Sequence, residues 1–196
     1  MEISHFKLKN SFFDIFLPDS EEYKQLQKAV AERYKEIYAA SIKPTPGLFV
    51  SLKEDPLISF RSGACIGITS AKNQMLFSEP YLNAPVENIV TMITGEHYSR
   101  SQIAEINALV SYSSGSGKKL MKMVPWLLWS MGFNFVLATA TQQMRYIFKS
   151  LDFKFFPVVS ASVNALQKPG EQIWGSYYDH KPITGLLNFE SETYHR

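Results

Sequence analysis

Apolar and polar positions follow two periods along this chain. Tyr23, Leu26, Val30, Tyr34 and Ile37 recur at steps of three and four, the stripe of an amphipathic helix facing a core. Asp19 and Glu22 follow Pro18 at capping-box spacing, which places the helix start near Asp19–Ser20. Pro44 and Pro46 end that region. Leu48–Leu52 and Ala64–Thr69 read as strands separated by a polar turn around Lys53–Pro56, and Tyr81–Ile93 contains a short helix after Pro85. The second half reads as strand Ile103–Ser111, helix Gly117–Met131, strand Phe133–Thr139, helix Gln142–Leu151, and further strands Phe153–Val159 and Ile173–Asp179. Such alternation predicts an α/β (α+β) fold, a sheet covered by helices with at least one parallel pair. Pro125 predicts a kink in its helix. No repeat or linker divides the chain, so the expectation is one domain over 1–196, with 1–45 a helical region packed on it.

Composition narrows the function classes. The 20 basic and 18 acidic residues are mixed along the chain and leave a net charge of +2, so no basic face argues for nucleic acid. Cys65 is the single cysteine, which fits a reducing compartment. It stands in the apolar run Ala64-Cys65-Ile66 with no basic neighbour to activate it, as a core thiol would. His5, His97 and His195 have no metal-ligand spacing, and no metal is expected. Glu2 and Asp14 interrupt the apolar N-terminus, so it does not read as a signal peptide, and a cytoplasmic location is expected. Met123–Met144 carries no charge and has the length of a bilayer span. Pro125, Ser130, Gly132 and Asn134 interrupt it, and a helix end, a turn at Gly132 and a buried strand account for it better.

The chemistry concentrates in Gln102–Leu120. A strand runs through a Gly-Ser turn into a helix start, an arrangement whose free backbone N–H groups suit phosphate. The turn is not a Walker A loop: Tyr112 stands where the first glycine belongs, and no Ser or Thr follows Gly117-Lys118. It is not a dinucleotide fingerprint, which would need glycine at Leu120. Lys118 and Lys119 oppose the helix dipole there, as cations facing an anionic ligand or as exposed surface lysines. On the strand, Ala104, Ile106, Ala108 and Val110 share a core face. Ile103, Glu105, Asn107, Leu109 and Ser111 share the other. An unpaired buried carboxylate is costly, so Glu105 is either a general base or half of an ion pair with Arg100 or a lysine. Ser176, Tyr178 and His180 alternate along the last predicted strand, with Tyr178 or His180 a candidate proton donor or simply a packing residue.

The order strand, turn, helix, strand, helix resembles the GNAT acyltransferase superfamily, and Phe148-Lys149-Ser150-Leu151-Asp152-Phe153 resembles its Y-x-x-x-G-F ending. A narrower resemblance runs from about Pro46 to Ile183. The segments LFSEPYLNAPVE, SRSQIAEINALVS, GFNFVLATATQQMRYIFKSLDF and IWGSYYDHKP are similar to the thermostable hemolysin family, itself related to GNAT enzymes and more distantly to acyl-homoserine-lactone synthases. The resemblance implies a GNAT-like mixed central sheet flanked by helices. It implies acyl-coenzyme A or coenzyme A as co-substrate, with acyl carrier protein as another carrier, held by Val110, Tyr112, Ser114, Gly115, Ser116, Gly117 and Lys118. It implies catalytic roles for Glu105 and Asn107, which Tyr178 joins from the strand reading, and for Arg100 either a place on an acceptor carboxylate or that of a solvated surface arginine. Two departures stand out. Tyr112 replaces the Gln or Arg that opens the usual phosphate turn. Phe148 replaces the tyrosine that often serves as general acid, and Tyr146 points to another side of the helix.

The expected function is therefore N-acyl transfer from a thioester to a small amine such as an amino acid. The strand amides near Asn107–Leu109 would polarise the thioester carbonyl. Two rivals stand beside it: a membrane-active, hemolysin-like protein, and a GNAT-fold domain that binds a ligand without catalysis.

Overall fold

The computed structural model describes residues 4–8, 11–53, 63–166 and 173–188, with backbone only for 4–8. The turn expected at Lys53–Pro56 lies beyond Lys53 outside the described residues, as does His195. Twelve elements follow in order: β1 (Ser4–Leu8), β2 (Ser11–Phe16), α1 (Glu21–Tyr38), β3 (Leu48–Lys53), β4 (Ala64–Ser70), α2 (Val86–Thr94), β5 (Ile103–Ser111), α3 (Ser116–Ser130), β6 (Phe135–Ala140), α4 (Gln142–Ser150), β7 (Lys154–Ser160) and β8 (Ile183–Asn188). The strands form a mixed sheet in the order β1-β2-β3-β4-β5-β6-β8-β7. By contact density the chain divides into two compact units. Of the described residues, the first holds 4–8, 11–53, 63–69, 106–124 and 173–175, and the second holds 70–105, 125–166 and 176–188.

In the first unit, β1 to β4 form an antiparallel meander. The helical N-terminal region expected over 1–45 therefore contains two strands ahead of its helix. Helix α1 begins one residue later than the Asp19–Glu22 spacing implies. Ser20 is the cap, and its Oγ accepts a hydrogen bond from the Tyr23 amide at 3.2 Å. Glu21 and Glu22 sit in the first turn and Lys35 in the last, each favourable to the helix dipole. Ala39 closes the helix in the left-handed conformation at φ 54°. Tyr23, Leu26 and Val30 pack with Phe16, Phe49, Cys65, Ala108 and Val110, with Tyr34 half-buried against them. Each fully buried Leu, Val or Phe among them contributes roughly 1.5–3 kcal/mol. The stripe stops there, because Ile37 is 48% exposed. Burial pushes the Cys65 thiol well above its ordinary pKa, so it is an inert core residue.

In the second unit, β6 and β7 both pair antiparallel with β8, a strand the sequence pattern did not announce. The β7–β8 register slips at Pro157–Val159, where proline cannot donate to the ladder. Its core joins Leu76, Val86, Ile89, Val90, Ile103, Phe135, Leu137 and Leu186. The uncharged run from Met123 resolves into the end of α3, a left-handed turn at Gly132 (φ 85°) and β6. Among the described residues, no helix is long and apolar enough to cross a membrane. The strand expected over Ile173–Asp179 does not form. Ile173 makes one isolated bridge to Ser41, Gly175 turns the chain at φ 51°, and Tyr177–His180 is a short 3-10 helix. Ser176, Tyr178 and His180 therefore do not alternate on a strand face.

Candidate functional site

Strand β5 carries the polar residues that set this fold apart from a plain sheet. Its first residues belong to the second unit and its last to the first. Midway, Ala108 adopts φ 52°, a left-handed conformation rare for a residue with a side chain and foreign to a regular strand.

In the second unit, Glu105 is fully buried. Among the described residues it pairs with neither Arg100 nor a lysine. Its carboxylate instead accepts from the Phe77 amide at 2.7 Å, the Ser78 amide at 3.1 Å and the Ser78 hydroxyl at 2.6 Å. Burial raises its pKa, these three donors oppose the rise, and the balance stands at about 7. Polar groups gather around it. Thr139 Oγ1 donates to Ser78 Oγ at 2.7 Å and lies 2.8 Å from Thr184 Oγ1. Tyr81, almost fully buried, sits close enough to Glu105 for the carboxylate charge to help hold its phenol above the usual range, after burial and the Tyr178 hydrogen bond. The Tyr81 and Tyr178 hydroxyls lie 2.6 Å apart. Burial raises the Tyr178 phenol too, although its bond to Tyr81 works against the rise. The fold thus brings Tyr178 toward Glu105 through Tyr81. Sequence reasoning missed Ser78, Tyr81, Thr139 and Thr184, because lone hydroxyls scattered over a hundred positions carry no spacing signal.

Arg100 has another task. Its Nε donates to Ala71 O at 2.9 Å and its Nη2 to Gln74 O at 2.8 Å. Nη1 and Nη2 reach Glu79 at 2.9 and 2.8 Å, and Nη1 also reaches Glu87 at 2.5 Å. Glu79 in turn accepts from the amides of Leu76 and Val86. Burial raises the Glu79 pKa, but the Arg100 and amide hydrogen bonds outweigh it and bring it below the usual range. A guanidinium so engaged fastens the 71–87 segment and is not poised to receive an acceptor carboxylate.

In the first unit, Asn107 places its Oδ1 in a buried position with no hydrogen-bond partner among the described residues. Gly67 lies against it, and a Cβ there would come 2.5 Å from that oxygen. The phosphate-type turn follows. Ser116 is buried, with its hydroxyl 2.8 Å from Gly63 O, 2.9 Å from Ser113 O and 2.8 Å from Ser111 Oγ. It fastens the turn and is not free for a ligand. The Gly117 amide donates to Ser111 Oγ at 3.3 Å, and the Tyr112 amide to Gly63 O at 2.8 Å. Gly115 holds φ 78° with nothing within 4 Å of a Cβ added there. Ser114, Gly115 and Lys118 are exposed. Val110 is buried in the core and Tyr112 packs half-buried against the same cluster, so their side chains support the turn from inside. Phe148 is likewise buried, stacked near Phe153 and tilted against Phe155, while Tyr146 is 73% exposed. Among the described residues, no three His, Cys, Asp or Glu side chains gather as metal ligands.

The fold is shared with acyl-transferring synthases. The acyl-homoserine-lactone synthase LasI superposes with a TM-score of 0.60 at 10% identity, over 93% of this chain and 92% of LasI. FeeM, an N-acyl amino acid synthase from uncultured soil microbes, gives 0.57 at 12% identity over 90% of each chain. BjaI, a coenzyme A-dependent acyl-homoserine-lactone synthase with bound SAM and isopentyl-CoA, gives 0.55 at 11% identity over 90% of this chain and 82% of its own. At such identities the likeness is one of fold. No curated protein matches the chain in sequence. The pattern described as Thermostable hemolysin matches residues 17–191, nearly the whole chain, and the protein belongs to that family, with a GNAT-like fold.

Proposed function

We propose that the protein is an N-acyltransferase that moves an acyl group from a coenzyme A or acyl carrier protein thioester to a small amine such as an amino acid. The observation that carries this reading is Glu105, a fully buried carboxyl with a pKa of about 7, in a chain that folds like acyl-transferring synthases. A base poised near neutrality is what amine deprotonation requires. In this reading the amine nitrogen attacks the thioester carbonyl, a C–N bond forms and the C–S bond breaks. The amine proton passes to Glu105, and Tyr178 protonates the departing thiolate in place of Phe148, which has no proton to give. The left-handed Ala108 favours a carbonyl-polarising role for the amides of Asn107–Leu109, since it takes β5 out of regular strand geometry there. The Ser114–Lys118 turn receives the phosphates at its exposed positions, Ser114, Gly115 and Lys118.

The test is thiol release. Purified protein is incubated with coenzyme A and acyl carrier protein thioesters of short, medium and long acyl chain, each with a panel of amino acids. Amine-dependent release of free thiol with matching N-acyl product supports the reading. No release from either carrier with any amine overturns it.

A membrane-active reading draws on Trp126, Trp129 and Met131, which expose apolar surface at the end of α3. Tryptophan favours the bilayer interface. Dye leakage from phosphatidylglycerol vesicles without any thioester would favour this reading over acyl transfer.

A further inference from the structure

Glu105 is fully enclosed, and its oxygens already accept from Phe77 and Ser78. A base in that position needs a conductor to an acceptor amine. A line of hydroxyls leads away from it. Ser78 Oγ donates to Glu105 Oε1 at 2.6 Å, Thr139 Oγ1 donates to Ser78 Oγ at 2.7 Å, and Thr184 Oγ1 lies 2.8 Å from Thr139 Oγ1. A hydroxyl has one proton and two lone pairs. Thr139 commits its proton to Ser78, so Thr184 must donate to Thr139. Every proton in the line then points toward Glu105. Ser78 and Thr184 are buried, whereas Thr139 is half-buried and keeps one lone pair on Oγ1.

We propose that Thr139 is the catalytic residue through which the acceptor's proton enters, and that Ser78 relays it to Glu105. This rests on the acyl-transfer reading. The acceptor ammonium donates to the open lone pair of Thr139 Oγ1. One N–H bond breaks as its proton joins Thr139 Oγ1. The proton Thr139 held moves to Ser78 Oγ, and the proton Ser78 held moves to Glu105 Oε1. Ammonium and carboxylate become amine and carboxylic acid, and both hydroxyls remain hydroxyls. Thr184 is a positioning residue that orients Thr139 by donating to it.

The experiment compares wild type, Thr139→Val and Thr139→Ser in the thiol-release assay, with a proton inventory in mixed H2O and D2O on the wild type. The relay predicts a bowed inventory, because several protons move together. It predicts a loss of about 10²-fold in kcat for Thr139→Val, the usual worth of a general base, with KM nearly unchanged, and recovery in Thr139→Ser. It also predicts that the rise of kcat/KM through pH 7 disappears in Thr139→Val. A linear inventory overturns the relay even if the valine variant fails to fold. So does a Thr139→Val enzyme with wild-type turnover and pH profile, and both results leave acyl transfer standing. A wild type inactive with every thioester and amine overturns the acyl-transfer reading, and the relay falls with it.

Discussion

The hydroxyls of Tyr81 and Tyr178 lie 2.6 Å apart, joining an almost fully buried ring near Glu105 to a half-buried ring on the 3-10 turn Tyr177–His180. Tyr178→Phe therefore has two effects. It removes the proposed donor to the thiolate, and it leaves the Tyr81 hydroxyl without this partner. We expect kcat to fall by about 10-fold or more and stability by about 1–3 kcal/mol, the usual penalty for an orphaned buried hydroxyl. Adding Tyr81→Phe restores the stability and not the turnover. Thermal unfolding and thiol release, measured on the same preparations, separate the two. A double variant that regains activity would remove Tyr178 from the proton-donor role.

Glu105 predicts how stability depends on pH. Its carboxyl titrates near 7 when folded, above an ordinary glutamate near 4.5. Between these values the folded state holds a proton that the unfolded state has lost, so stability falls as pH rises through that window and levels off above about 7. Full expression of the shift is worth about 3 kcal/mol. Glu105→Gln should flatten this slope in urea titrations at pH 5 to 8. Under the proposed function it also abolishes the rise of kcat/KM through pH 7. An unchanged stability slope in the variant would show that another group titrates there.

Arg100 predicts a stability phenotype in place of a binding one. It holds Glu79, Glu87 and two backbone carbonyls. Arg100→Lys keeps the charge and loses the forked geometry, leaving Glu79 poorly paired. We expect a melting temperature lower by about 5–10 °C, from roughly 2–3 kcal/mol of lost stability, with KM for a carboxylate-bearing acceptor little changed. An unaffected melting temperature with KM raised tenfold or more would return Arg100 to the acceptor site.

Gly115 tests the turn. At φ 78° with open space around it, alanine there meets no steric clash and only the left-handed backbone penalty, about 1–2 kcal/mol. If Ser114–Lys118 receives the donor's phosphates, Gly115→Ala weakens coenzyme A binding, read as a smaller thermal shift at fixed ligand concentration. Equal shifts in variant and wild type would place the phosphates elsewhere.

Local signals made much of the fold legible. The three- and four-residue stripe of α1, the alternation along β5 and the Gly-Ser break before α3 all depend on neighbours in sequence, and each of those elements formed. The pattern failed where tertiary pairing dominates. Strand β8 is fixed by β6 and β7 on either side, and β2 by pairing with β1 and β3. Ile173–Asp179 has the composition of a strand but finds only one bridge before Gly175 turns it.

The site divides in the same way. Sequence determined that Glu105 sits on a core strand, that a glycine turn follows it, that Phe148 cannot donate a proton, and which family the chain resembles. These are properties of residue type and spacing. Only the tertiary structure decided what surrounds the carboxylate. Arg100, which the sequence offered as an ion-pair partner, pairs with Glu79 and Glu87, while the loop of Phe77 and Ser78 cradles Glu105. Ser78, Thr139 and Thr184 meet across 61 and 45 positions of chain. A buried carboxylate must find hydrogen-bond donors wherever the fold supplies them, and no periodicity in the chain records where those donors come from.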